Sequence, residues 1–111
     1  MALRKIRQNS PNIRISYRVY MNNKDHKHNV LAEFRHIPGV GKTIAEDLWQ
    51  LGIRSLSDIE KANPEELYEA LCVLQKTRVD RCMLYVFRCA VYYASTENPD
   101  HELLKWWHWK D

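Results

Sequence analysis

The segment Ile37-Pro38-Gly39-Val40-Gly41-Lys42-Thr43 carries the clearest chemistry in the chain. Two glycines one residue apart, followed directly by Lys and Thr, suit a tight turn that opens a helix. Glycine tolerates the unusual dihedrals of such a turn and lets another group approach the backbone closely. The first amides of a helix lack intrahelical acceptors, and the macrodipole adds partial positive charge there. The backbone of Gly39, Val40, Gly41, Lys42 and Thr43 is therefore a candidate seat for the oxygens of one phosphate group, with Lys42 adding a charge and Thr43 a hydroxyl. Ile37 and Val40 would anchor the turn in the core. The alternative is a tight interhelical turn that holds no ligand.

Other chemistries fit the residues less well. Gly41-Lys42-Thr43 ends like a nucleotide-binding P-loop, but that motif needs a glycine where His36 stands and a strand where a helix is predicted. His26-Lys27-His28 could touch a metal, yet a solvated polar linker explains it more simply. Asp58 and Asp80, which could be proposed as catalytic carboxylates, read better as first-turn helix residues. No Ser-His-Asp, Cys-His or paired-carboxylate arrangement is legible. The expectation is a non-enzymatic protein with no cofactor and no metal.

The elements that position the turn must fit one domain, because 111 residues allow a single modest core. No run of apolar residues is long enough to span a bilayer, and the basic start Met1-Ala2-Leu3-Arg4-Lys5-Ile6-Arg7 leads into polar Gln8-Asn9-Ser10. These features predict a cytoplasmic protein without membrane contact. Cys72, Cys82 and Cys89 are an odd number for a disulfide framework. Cys82 and Cys89, seven positions apart on one predicted helix, stand roughly 10 Å apart along its axis, too far for a disulfide or for one zinc ion. All three are expected to be buried free thiols.

Charge is unevenly divided. Residues 1–28 hold Arg4, Lys5, Arg7, Arg14, Arg18, Lys24 and Lys27 against Asp25 alone, a net +6, which leaves −3 of the overall +3 to residues 29–111. A basic arm, 1–28, is thus expected to precede a slightly acidic globule, 29–111, whose overall field would not attract a polyanion; any phosphate contact must be local. Within the arm, Ile13, Ile15, Tyr17, Val19 and Met21 alternate with polar residues at a strand period. A lone strand must pair with a second copy, lie along the helical body or stay extended or disordered. Met21-Asn22-Asn23-Lys24 would serve equally well as the start of the compact domain.

Helical signals become dense from Asn29. Val30, Leu31 and Phe34 share one face of a short helix that ends before Pro38. From Lys42 to Leu51, Ile44, Ala45, Leu48 and Leu51 face one side and Lys42, Glu46 and Gln50 the other, with Gly52 as the stop. Ser57 with Glu60, or Ser55 with Asp58, caps another short helix. Asn63 caps the next, with Pro64 at its first position, running to about Val73. Asp80 caps a long helix to about Ala94 that is apolar except for a stripe of Arg81, Tyr85, Arg88 and Tyr92. Such a helix belongs at the centre of a bundle, and the stripe reads as a solvated face, an intramolecular ion-pair site or a partner contact. Asn98-Pro99-Asp100 opens a last short helix whose Trp106, Trp107 and Trp109 form an aromatic plug.

Phe34 to Ile53, with Pro38-Gly39-Val40-Gly41-Lys42 at its centre, resembles the helix-hairpin-helix pattern of many DNA-binding proteins. Ser55 to Leu71 resembles the connector and first helix of a second such unit. Val79 to Ala90, with Trp106-Trp107, resembles the small bacterial pathogenicity-locus helix-hairpin-helix family, so the likeness covers about Val30 to Asp111. It implies an all-α, compact five-to-six-helix bundle, a tandem helix-hairpin-helix (SAM-domain-like) whose second hairpin is degenerate. Leu74-Gln75-Lys76-Thr77-Arg78-Val79 has no glycine, so a second amide site is not expected there, although Lys76 and Arg78 could reach a phosphate with their side chains.

Two functions follow as expectations. The first is weak, sequence-independent DNA binding through Gly39, Val40, Gly41, Lys42 and Thr43, tempered by Glu46 and Asp47 one turn on. The second is a protein-interaction module of the same fold that binds no nucleic acid, using the arm or the Arg and Tyr stripe to contact a partner or a second copy.

Overall fold

The computed structural model describes residues 25–111, all of whose regular elements are helical. The strand-like stretch at 13–21 and most of the basic arm lie outside the described residues. The first helix, α1, covers 25–34, starting four residues ahead of the apolar pattern at Asn29. Its extra turn is polar and is held from outside: Lys27 meets Glu46 at 3.2 Å and His26 lies edge-on to Trp49 at 6.1 Å. Helix α2 follows at Lys42–Gln50, α3 at Leu56–Glu60, α4 at Pro64–Gln75 and α5 at Cys82–Ser95. Two 3₁₀ turns, His101–Leu104 and Trp106–Trp109, stand in place of the expected last helix. No helix among the described residues is long and apolar enough to cross a membrane.

Local chemistry sets most boundaries. The α2 helix stops at Gly52, whose φ of +92° lets its N–H reach the Trp49 carbonyl and that of Ile53 the Leu48 carbonyl, both at 3.0 Å. Asn63 accepts the Glu66 amide at 3.1 Å, and Pro64 follows it at the start of α4. The cap of α3 is Ser55 rather than Ser57, accepting the Asp58 amide at 3.2 Å. Both serines have an acid three residues on. Ser55 prevails because Asp58 can then also accept the Arg54 amide at 2.9 Å, while Ile59 turns fully inward.

Helix α5 is the central element, packing against α3, α4 and both 3₁₀ turns. Around it Phe34, Leu48, Ile59, Leu71, Leu84 and Phe87 are fully buried, each contributing about 1.5–3 kcal/mol of burial. Cys72 and Cys89 are buried free thiols, whereas Cys82, at the exposed start of α5, is only half-buried. Burial pushes the Cys89 thiol up, and at Cys82 the hydrogen bond to Asp80, followed by burial, does the same.

Candidate functional site

The turn between α1 and α2 is built on two anchors. Ile37 is 1% exposed and Val40 6%, and the Val40 amide donates to the Ile37 carbonyl at 3.0 Å. That amide is committed within the turn, so Val40 serves the site as an anchor and not as a donor. Between the anchors Gly39 takes φ +83°, a conformation an L side chain reaches only at a cost of about 1–2 kcal/mol. A Cβ on Gly39 would also stand 3.2 Å from Cδ1 of Trp106. Gly39 is therefore required by the fold itself.

Gly41 is different. As the cap of α2 it has φ −96° and ψ −163°, extended backbone open to any residue, and a Cβ there would meet no atom within 4 Å. No side chain caps the helix. The first intrahelical bond runs from Ala45 to the Gly41 carbonyl at 2.9 Å, so the amides of Lys42, Thr43 and Ile44 have no backbone acceptor among the described residues. Gly41, Lys42 and Thr43 are exposed. The sequence-predicted residues thus come together as one bare helix start.

Lys42 and Thr43 also line an open cleft of about 910 Å³ between α1 and α2. Leu31, Ala32 and Ala45 provide its apolar surface, and His28 and Arg35 join Lys42 on its polar walls. The sequence reading gave Arg35 no role and placed His28 in a solvated polar linker. The available signal was their place on the last turns of the helix that leads into the glycines. Glu46 and Asp47 line the same cleft, but Glu46 is engaged by Lys27, and its carboxyl is held below the usual range by the Gln50 and Lys27 hydrogen bonds. Burial, then the neighbouring Glu46, pushes Asp47 upward. The Lys27 ammonium offsets part of the Glu46 charge that an anion would otherwise meet in this cleft.

The second turn, between α4 and α5, lacks these properties. Lys76 occupies the left-handed position, φ +56° and ψ +36°, where α2 uses Gly52. The same pair of bonds closes it: Lys76 to the Val73 carbonyl at 3.2 Å and Thr77 to the Cys72 carbonyl at 3.1 Å. Tyr68 hydroxyl donates to the Val79 carbonyl and ties the turn to α4. At the start of α5 the Asp80 carboxylate accepts the Cys82 amide at 2.8 Å, which lowers the Asp80 pKa. An acid already occupies the place that an anion would take. Arg78 is committed to Glu69 at 3.1 Å and lies over the Tyr68 ring, whereas Lys76 has no ion-pair partner among the described residues.

The Arg and Tyr stripe of α5 is filled from within. Asp111 bridges Arg81 at 2.7 Å and Arg88 at 3.0 Å, and Tyr85 reaches the same carboxylate at 3.3 Å. Arg88 also pairs with Glu65 at 2.9 Å and donates to the Trp109 carbonyl at 2.8 Å. Tyr92 accepts the Asp100 amide at 2.8 Å and packs against Trp109. Of the readings open at the sequence level, the intramolecular ion-pair site is the one observed. His, Cys, Asp and Glu form no cluster of three suited to a metal among the described residues.

Fold and site together define a small all-helical domain with one uncapped, basic interhelical turn and one turn closed by its own acid. The chain belongs to the Cdd1 family, described as a pathogenicity locus, whose family model matches residues 27–111. No curated protein and no solved structure matches it.

Proposed function

We propose that the chain is a helix-hairpin-helix module that binds nucleic acid, DNA in the first instance, through one backbone phosphate and without reading bases. The α1–α2 turn is the hairpin, and the α4–α5 turn is its degenerate counterpart. In this reading Gly39 shapes the turn, Gly41 leaves room for the phosphate, and the amides of Lys42 and Thr43 receive its oxygens. Lys42 supplies the neutralising charge, and Lys76 makes a secondary side-chain contact. The observation that carries the reading is the contrast between the two helix starts: no side chain takes an amide at the start of α2, whereas the Asp80 carboxylate takes the Cys82 amide at the start of α5. No catalysis and no cofactor enter this reading.

Binding of a labelled arbitrary duplex, followed across a salt titration, tests it. One phosphate at the hairpin and a second at Lys76 give a log–log slope of about −2. Lys42→Glu abolishes the binding. Binding that ignores Lys42→Glu and disappears on removal of residues 1–20 would assign the activity to the basic arm instead.

A second reading, a protein-interaction module of the same fold, draws support from a different surface. Val73 is 77% exposed and Leu74 45%, beside the strained Lys76. An oligomeric-state measurement with and without residues 1–20 separates self-association through the arm from association through this surface.

A further inference from the structure

The glycine turn does not rest on its own helices alone. Trp106, roughly seventy residues further along the chain, places its indole against Gly39. The position of a Gly39 Cβ lies 3.2 Å from Cδ1 and 3.8 Å from Cγ of that ring, and 3.8 Å from a Val86 methyl on α5. Gly39 is exposed on its outer side, and its inner side faces a helix of the core and the C-terminal segment. That segment is fastened at several points beyond Trp106. The Trp109 indole N–H donates to the Leu103 carbonyl at 2.8 Å, its carbonyl accepts from Arg88 at 2.8 Å, and Asp111 joins Arg81 and Arg88.

We infer that Trp106 is a positioning residue for the α1–α2 turn, holding Gly39 at its left-handed geometry so that the amides of Lys42 and Thr43 stay aimed at one point. The inference rests on the phosphate-binding reading for its functional consequence and on the Gly39 contact for its geometry. Its physical basis is preorganisation. A turn that must select its binding-competent form loses apparent affinity in proportion to the fraction of time spent elsewhere. A planar indole meets the Gly39 backbone with its ring at Cδ1, a contact that the tetrahedral branches of an aliphatic side chain do not reproduce. Phenylalanine keeps the planarity, and leucine does not.

The test compares Trp106→Phe with Trp106→Leu in the full chain. Thermal melts establish that both are folded, and Ile59→Val, a buried change in α3, serves as a control for loss of stability without change at the turn. Trp106→Phe is expected to bind duplex DNA within about twofold of the parent, and Trp106→Leu about tenfold more weakly; that loss corresponds to a competent fraction reduced to about a tenth. Hydrogen exchange of the Val40 amide, which is bonded to the Ile37 carbonyl within the turn, gives a second readout that needs no ligand. It should quicken more in Trp106→Leu than in Trp106→Phe, and more than in Ile59→Val of equal stability. Equal affinities for the two variants, or a Val40 amide that exchanges alike in both, would overturn the positioning role. If the parent chain binds no duplex, the phosphate reading fails, while the exchange of the Val40 amide still decides whether Trp106 positions the turn.

Discussion

Alanine at Gly39 and alanine at Gly41 should have opposite consequences. At Gly39 the φ of +83° costs an L residue about 1–2 kcal/mol. The new methyl also presses on Trp106 at 3.2 Å, which raises the total to about 2–3 kcal/mol. A domain of this size then loses roughly 10–20 °C in melting temperature. At Gly41 the backbone is extended and the methyl has free space. Alanine is a poorer helix cap than glycine by about 0.5–1 kcal/mol, but it restricts the unfolded chain by a similar amount, about 0.4–1 kcal/mol. The two terms nearly cancel, and Gly41→Ala should melt within about 3 °C of the parent. Its methyl nevertheless stands beside the amides of Lys42 and Thr43, so duplex affinity should fall about tenfold, some 1.4 kcal/mol. Circular-dichroism melts and fluorescence anisotropy with a labelled duplex at low salt measure both quantities. A Gly41→Ala protein that melts as low as Gly39→Ala, or one that binds like the parent, would refute this division of labour.

Lys76→Gly should raise stability by about 0.5–1 kcal/mol, because removing the left-handed strain outweighs the extra freedom of an unfolded glycine; a melting temperature about 2–6 °C higher is the check. The same variant should reduce the salt dependence of DNA binding if Lys76 touches a phosphate. Asp111 is held below the ordinary carboxylate range by its hydrogen bond to Arg81, and then by Arg88. The Asp111 contribution to stability is therefore complete above about pH 4 and is lost as the pH falls through the lower folded value. Tryptophan fluorescence should report loosening of the C-terminal segment in that acid window, and Asp111→Asn should lack this component of the transition.

The fold was legible wherever the determining chemistry is local. Asn63-Pro64 with Glu66 and Gly52 after an amphipathic run each combine a cap or stop with a periodic pattern, and each lies where it was expected; α5 starts one residue later than expected, with Arg81 at its cap position and Asp80 bonding the Cys82 amide from just outside. Ser55 and Ser57 were indistinguishable in sequence, since the choice depends on Ile59 reaching the core and on Asp58 serving two donors. The last helix is two 3₁₀ turns because Lys105 between them is extended, φ −90° and ψ +112°, a break that no glycine or proline marks in the sequence. At the site, glycine spacing identified the turn but could not separate a glycine needed for its dihedral angle from one needed for space. Nor could it show that the Val40 amide is spent on Ile37. The Asp111 bridge and the Trp106 brace join residues far apart in sequence, and no spacing rule reaches across that distance.

The contact between Gly39 and Trp106 has a consequence for the order in which the protein is made. Both helices flanking the glycine turn leave the ribosome well before the tryptophan that supports it. A fragment ending after α2, whether a nascent chain or a synthetic peptide, contains every residue of the turn and lacks the surface against which the turn is set. Completion of the turn is then an event of late synthesis, and short peptides copied from 25–54 would be poor substitutes for the whole domain.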